Sequence, residues 1–124
     1  MDKKGFSLIE VLIGLVLLAI GLLAIAGMQI TAVKGNFFSH YLTQASYAAQ
    51  DRLEFLDNLP IDDVQLQPGN HNDGTVPISG ITFNRTYTVT VVNDPSGSYN
   101  IINYTVAWND GVNRNITLST IRSQ

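Results

Sequence analysis

Residues 1–34 read MDKKGFSLIEVLIGLVLLAIGLLAIAGMQITAVK, and this stretch constrains what the rest of the chain can be. Asp2, Lys3 and Lys4 form a short polar, mildly positive head. Phe6 to Met28 is then apolar except for Ser7 and Glu10, and no charge occurs from Val11 to Val33. At about 1.5 Å per residue, roughly 20 helical residues cross a hydrocarbon core of about 30 Å. The run is therefore long enough to span a membrane. A secretory signal peptide carries a shorter apolar region of about 7–15 residues before a small-residue cleavage site. Here the run is longer and a glutamate sits near its start. Ala24-Ile25-Ala26 is accordingly read as part of the span and not as a cleavage site.

Glu10 is the most informative residue of that span. A carboxylate deep in a bilayer costs about 2.5–3.5 kcal/mol even on mild insertion scales. It must either reach the headgroups or find a cationic partner within the membrane. An isolated anchor has no use for such a group, whereas a subunit that packs beside similar helices does.

The string Gly5-Phe6-Ser7-Leu8-Ile9-Glu10-Val11-Leu12-Ile13 resembles the class III signal of type IV pilins and type II secretion pseudopilins. That signal is a short basic leader ending in Gly, then Phe, then an apolar helix with Glu at its fifth position. The resemblance implies cleavage after Gly5 by prepilin peptidase and N-methylation of Phe6. It also implies that Glu10 pairs with the amino terminus of a neighbouring subunit during assembly. The freed α-amino group has a reference pKa of about 7.7–8.0 and is cationic at neutral pH. Each charge then removes the other's penalty for burial. Glu10 also lies one helical turn from Phe6 of its own chain, so an intrachain pair competes.

Two further strings resemble the PilV group of minor pilins. One is Ile20-Gly21-Leu22-Leu23-Ala24-Ile25-Ala26-Gly27-Met28-Gln29; the other is Tyr104-Thr105-Val106-Ala107-Trp108-Asn109-Asp110-Gly111, followed by Arg114 and Ile116-Thr117-Leu118-Ser119-Thr120. Major pilins commonly carry a helix-kinking Pro where this chain has Gly27, and often a C-terminal disulfide. The chain has no Cys, so both departures point away from a major pilin.

Working outward, no Pro occurs before Pro60, so one helix can run from about Phe6 to about Asn58. Gly14, Gly21, Gly27 and Gly35 are its weak points, each costing up to about 1 kcal/mol relative to Ala. Their spacing forms no GxxxG pair, and loose packing or local melting on assembly is the expected use. From Phe38 the pattern becomes amphipathic: Phe38, Tyr41, Leu42, Ala45, Ala48, Ala49, Leu53 and Leu56 recur at three- and four-residue steps and are read as core. Residues 60–80 are crowded with Pro, Gly, Asn and Asp and read as loop. Three strand patterns follow, with turns at Asp94-Pro95-Ser96-Gly97 and Asn109-Asp110-Gly111. Arg85 interrupts the apolar face of the first strand, which predicts an exposed end there. The sheet's apolar face must be buried, and the helix stripe is the available partner.

The expected fold is thus α+β: a long N-terminal α-helix, transmembrane in its N-terminal half, packed on a C-terminal antiparallel β-sheet, the type IV pilin fold. The expected division is a leader at 1–5, a transmembrane and assembly helix at 6–33, an amphipathic half-helix at 34–59, and a loop plus sheet at 60–124.

Composition excludes other classes. Of 124 residues, 45% are hydrophobic and 14% charged, with net charge −3. The charged share is well below the usual figure of about 25%, so this is not a charge-extended disordered chain. The Lys and Arg form no cluster beyond Lys3-Lys4, and no nucleic-acid surface is indicated. No phosphate loop, His pair or Ser-His-Asp arrangement appears, so no catalytic residue, cofactor or enzyme activity is assigned. Asp62, Asp63, His71 and Asp73 lack the spacing of a calcium loop, and no metal site is assigned. His40 stands alone on a helix. The sequons at Asn84, Asn103 and Asn115 are read as a consequence of Asn- and Thr-rich composition.

The resulting reading is a minor pilin that enters a type IV pilus and aids the start of assembly near the tip. The alternatives are a type II secretion pseudopilin or a lone membrane-anchored binding module. The implied partners are other major and minor pilins, prepilin peptidase, the inner membrane and the assembly platform. Lys3 and Lys4 favour a cytoplasmic N-terminus. Gly35 to Gln124 carries four basic and eight acidic residues, so export of the domain to the periplasm meets no barrier. The chain is expected in the inner membrane before assembly and in the pilus fibre afterwards.

Overall fold

The structure is a computed structural model that describes residues 5–124. Asp2, Lys3 and Lys4, and with them all of the expected leader but Gly5, lie outside the described residues. Helix α1 runs over Leu8–Asp57 (50 residues). After a 3-10 turn at Val64–Leu66 come β1 (Gly69–Ile78), β2 (Ile81–Asp94), β3 (Gly97–Asn109) and β4 (Asn113–Ser123). The strands form one antiparallel sheet in the order β1-β2-β3-β4. The fold is the expected α+β arrangement, consistent with the type IV pilin fold. The chain divides into two compact units between Phe37 and Phe38.

In the second unit, the helix stripe of Ala45, Ala49, Leu53 and Leu56 is buried against Phe83, Tyr87 and Val89 of β2 and Ile102, Tyr104, Val106 and Trp108 of β3. The steps of four, four and three keep these helical residues on one face. Two alanines in that row keep the helix surface low, which leaves room for the sheet's aromatic side chains. Phe38, Tyr41 and Leu42 pack at the margin of the same core, as their spacing predicts. At about 25 cal/mol per Å² of apolar surface buried, this interface is the main stabilising term of the unit.

Residues 60–80 differ from the expected loop, because Gly69–Ile78 is a full strand. Its sequence, GNHNDGTVPI, is made of turn formers, and its alternation is interrupted. Asn72 pairs with Thr86 but Thr75 pairs with Asn84, so Asp73 and Gly74 together face Arg85. This bulge puts Gly74 at φ +81°. It resets the period so that Asp73 and Val76, three apart, are both half-buried. The strand is held by its partner β2 more than by its own propensity. A two-residue loop, Ser79-Gly80, joins the pair with φ of +52° and +82°, the signs a type I′ hairpin needs.

Arg85 also departs from expectation. It is half-buried on the inner face, where its Nη2 donates to the carbonyl of Asp73 (2.9 Å). The bulge supplies the acceptor that keeps the charge inside. Asp73 is the hub of this corner. Its carboxylate accepts from Arg52 Nε and Nη2 (2.6 and 2.7 Å) and from the Tyr104 hydroxyl (2.5 Å). A helix residue, a bulge residue and a central-strand residue are thereby locked together.

The end of α1 is finished from a distance. Its last turn holds no basic residue. Arg122 of β4 donates instead to the carbonyls of Leu56 (2.9 Å) and Leu59. Leu56 is in the last turn, whose carbonyls lack partners within the helix, and Leu59 follows it; a cation there is also favoured by the helix dipole.

Burial and the bond to Asp73 push the Tyr104 phenol above its ordinary pKa, and burial does the same to Tyr87. A phenol with a folded pKa above its unfolded value of about 10 holds its proton more tightly in the folded chain. Stability is then intact below pH ~10 and falls as pH rises beyond it. Tyr104→Phe is expected to cost about 1–2 kcal/mol at neutral pH by removing a hydrogen bond to a charged group. It should also flatten the alkaline loss. Urea unfolding of the full chain in detergent at pH 7 and pH 11 checks both outcomes.

Candidate functional site

The N-terminal unit presents the site. Gly5, Phe6 and Ser7 precede the helix, and Glu10 lies in its first turn. Phe6 is 88% exposed, with its backbone nitrogen still in a peptide bond to Gly5. The structure brings Glu10 together with Ser7. The Ser7 backbone N–H donates to Glu10 Oε2 and the Glu10 N–H donates to Ser7 Oγ, both at 3.3 Å. This is a reciprocal cap: each side chain satisfies a backbone donor that the first helical turn would leave unpaired. The carboxylate is also favoured there by the helix dipole. The local reason for the helix start is thus Ser7, and Glu10 is held toward the N-terminal end of its own helix. Glu10 is evident in the sequence from its place in the apolar run, whereas the capping role of Ser7 is not. The Ser-x-x-Glu spacing was the available signal.

Every residue from Gly5 to Phe37 is exposed. Leu8, Leu17, Leu23 and Met28 are each well over half exposed. An 18-residue window of the helix is apolar enough to cross a membrane and is wholly unburied. Among the described residues, a Cβ added at Gly14, Gly21 or Gly27 would meet nothing within 4 Å beyond the adjacent helix backbone. The glycines are therefore not demanded by packing within the subunit. Such a surface needs lipid or neighbouring helices as its solvent.

The other polar residues singled out from the sequence have structural settings. Asp63 caps the 3-10 turn by accepting from the Gln65 N–H (2.8 Å). Asp73 is the ion-pair hub described above. His71 stacks on Tyr87 at 4.7 Å, and a ring nitrogen lies 2.7 Å from the Gln67 carbonyl. His40 lies 3.3 Å from the Ser79 hydroxyl. Among the described residues, no three His, Asp or Glu side chains converge as metal ligands would. The Asn and Thr of all three sequons share the outer sheet face, since residues two apart on a strand point the same way. Thr105 and Thr117 hydrogen-bond across it at 2.8 Å.

Residues 1–26 match the family described as the prokaryotic N-terminal methylation motif. The chain matches no curated protein and no solved structure. The motif supports a type IV pilin-like prepilin, either a type IV pilin or a pseudopilin. It implies processing by prepilin peptidase and assembly with pilins, and it suggests a structural protein and not an enzyme. Together with the apolar helix it supports membrane anchoring.

Ser7→Ala removes one half of the reciprocal cap. An exposed cap of this kind is worth about 0.5–2 kcal/mol of local helix stability. In detergent micelles, amide exchange at Leu8 to Glu10 is expected to quicken severalfold, while the amides of Ala45 to Leu53 stay unchanged.

Proposed function

We propose that the chain is a minor pilin of a type IV pilus and helps to start pilus assembly near the tip. The observation that carries this reading is the Gly5-Phe6 and Glu10 spacing at the head of a helix whose apolar residues are exposed as far as Phe37. Prepilin peptidase removes residues 1–5 by cutting after Gly5, and the new terminus, Phe6, is N-methylated. Residues 6–33 hold the subunit in the inner membrane before assembly, and in the fibre they pack among the helices of major and minor pilins. Residues 34–59 carry the amphipathic half of the helix and 60–124 the sheet, which faces the periplasm until the assembly platform inserts the subunit. The minor-pilin assignment rests on the PilV-like strings at residues 20–29 and 104–120.

The chemistry centres on Glu10. Once Phe6 has a free amine, that amine is cationic at neutral pH. A carboxylate has acceptor sites for more than one donor. Glu10 can therefore keep the Ser7 N–H and still receive the amine of a neighbouring subunit. In the low-dielectric interior of a helix bundle, an unpaired charge is strongly penalised and a paired one is not. A subunit docked with Glu10 against the neighbouring amine is favoured, and a misplaced one leaves both groups unpaired.

Glu10→Gln keeps the size and removes the charge. Membrane insertion is set by the apolar run and should be unchanged. The ratio of this protein in sheared filaments to that in membranes is expected to fall at least fivefold. An unchanged ratio would return Glu10 to a plain interfacial role.

A further inference from the structure

Phe38 is the residue by which the helix enters the second unit, and two turns of the sheet lie beside that entry. Arg114, just after the β3–β4 turn, places its guanidinium over the Phe38 ring at 4.3 Å. In the β1–β2 turn, the Ser79 hydroxyl lies 3.3 Å from a ring nitrogen of His40. The antiparallel register sends the β2–β3 turn, Asp94 to Gly97, to the opposite end of the sheet. The end of the helix is also remote, since from Phe38 to Asp57 it rises about 28 Å. On the other side of Phe38, the apolar run stops at Val33, and Lys34 is the first charge after Glu10. The short segment from Val33 to Phe38 spans about 7.5 Å as helix and at most about 18 Å if extended. The headgroup layer is itself about 5–7 Å thick on each side of the hydrocarbon. A bilayer that ends at Val33 therefore has both turns within reach of its surface.

The charges of the second unit follow the same axis. In the turn beside Phe38 the carboxylate is Asp110, and it is ion-paired with Arg114 at 3.0 Å. The Ser79-Gly80 turn carries no charge. Asp51, Glu54, Asp57 and Asp62 lie along the last turns of the helix or just beyond it, and Asp94 lies in the opposite turn. None of these five has an ion-pair partner among the described residues. The exposed Phe55, Ile61 and Val64 are interleaved with those carboxylates. Val112, in contrast, stands among neutralised or uncharged neighbours in the β3–β4 turn and is 58% exposed. Asp110, Gly111 and Asn113 are ordinary turn residues, whereas a β-branched apolar side chain is not. Val112 takes no part in the core. A surface of anionic lipid repels carboxylates, and its acyl boundary accepts apolar groups. The Phe38 end meets both conditions and the far end meets neither.

We propose that the Phe38 end of the second unit is a lipid-contact surface, with the turn from Asn109 to Asn113 resting in the phospholipid headgroup layer and Val112 inserted there. The Ser79-Gly80 turn lies on the same surface. The contact continues the membrane interface of the N-terminal helix, so the inference rests on the anchoring of that helix and not on the pilin reading. The carboxylates of the far end are held off the lipid. Removing the subunit from the bilayer then breaks a surface contact as well as withdrawing the helix.

The test uses the full chain in nanodiscs of phosphatidylcholine and phosphatidylglycerol, with the methyl groups of Val, Leu and Ile isotope-labelled for NMR. Val112 and Val64 form a built-in comparison, because Val64 is the more exposed at 75% and lies past the far end of the helix. With a nitroxide on the lipid headgroup, the Val112 methyl signals are expected to weaken at least fivefold and those of Val64 to stay unchanged. Equal loss at both, or no loss at Val112, would overturn the proposal. A nitroxide on the acyl chain must erase the signals of Val16, which lies within the uncharged run. An unaffected Val16 would remove the anchoring and the proposal with it, whereas Val16 erased and Val112 untouched overturns the proposal alone. Val112→Asp separates contact from mere tethering. It is expected to cut the headgroup-nitroxide broadening of Ile81, beside the Ser79-Gly80 turn, at least threefold, while Val112→Leu leaves it unchanged. Equal broadening of Ile81 in all three proteins would contradict the proposal. The Ile102 methyl, fully buried in the core, keeps its chemical shift if the Asp variant folds. If it does not fold, Asn113→Asp places the charge one residue further along the turn. That variant must give the same threefold cut, and an unchanged signal overturns the proposal equally.

Discussion

The apolar side chains from Phe6 to Val33 are exposed, and the behaviour of the protein depends on that fact. Such a surface is unfavourable in water by roughly 25 cal/mol per Å². It must be covered by lipid, by other helices, or by each in turn. The same helix behaves differently after Phe38, where alanines and leucines at three- and four-residue steps find the sheet and are buried by it. One continuous element thus serves two solvents. The change of sequence pattern at Phe38 coincides with the division between the two compact units.

The second unit is small and has no disulfide to constrain it. Its hydrophobic contact is supplemented by directed polar ties. Asp73 joins the helix through Arg52 and the central strand through Tyr104. Arg122 reaches from the edge strand to the end of the helix. A half-buried ion pair is weak support for stability by itself, because desolvation offsets much of the attraction. Its value here is geometric, since the bidentate Arg52 bond fixes where the bulge sits against the helix. The outer face of the sheet follows a different rule, with neutral Thr, Asn and Ser side chains bonded to one another across strands.

Much of this was legible in the sequence. The uninterrupted run from Val11 to Val33 and the absence of Pro before Pro60 define a long helix by elementary length and propensity arguments. The heavy alternation from Ile81 to Trp108 defines the central strands in the same way. Strand β1 was not legible, because a bulge destroys the period of two on which strand recognition depends, and Asn, Asp, Gly and Pro are read as turn. Arg85 was misjudged for the same reason: its acceptor is a backbone carbonyl that only the bulge presents. The role of Arg122 could not be read at all, since it acts across 66 residues of chain on Leu56. At the N-terminus the residue types pointed to Glu10, while the Ser7 cap was present in the spacing and hidden by the stronger signal of a charge in an apolar run.

The central claim is that this chain is a precursor whose helix begins to function at Phe6. Intact-mass and fragment analysis of the protein from producing cells tests it most directly. The account predicts a mature chain that starts at Phe6, with residues 1–5 missing and one methyl group on the amino terminus. A protein recovered from its final location with Met1 still in place would contradict it.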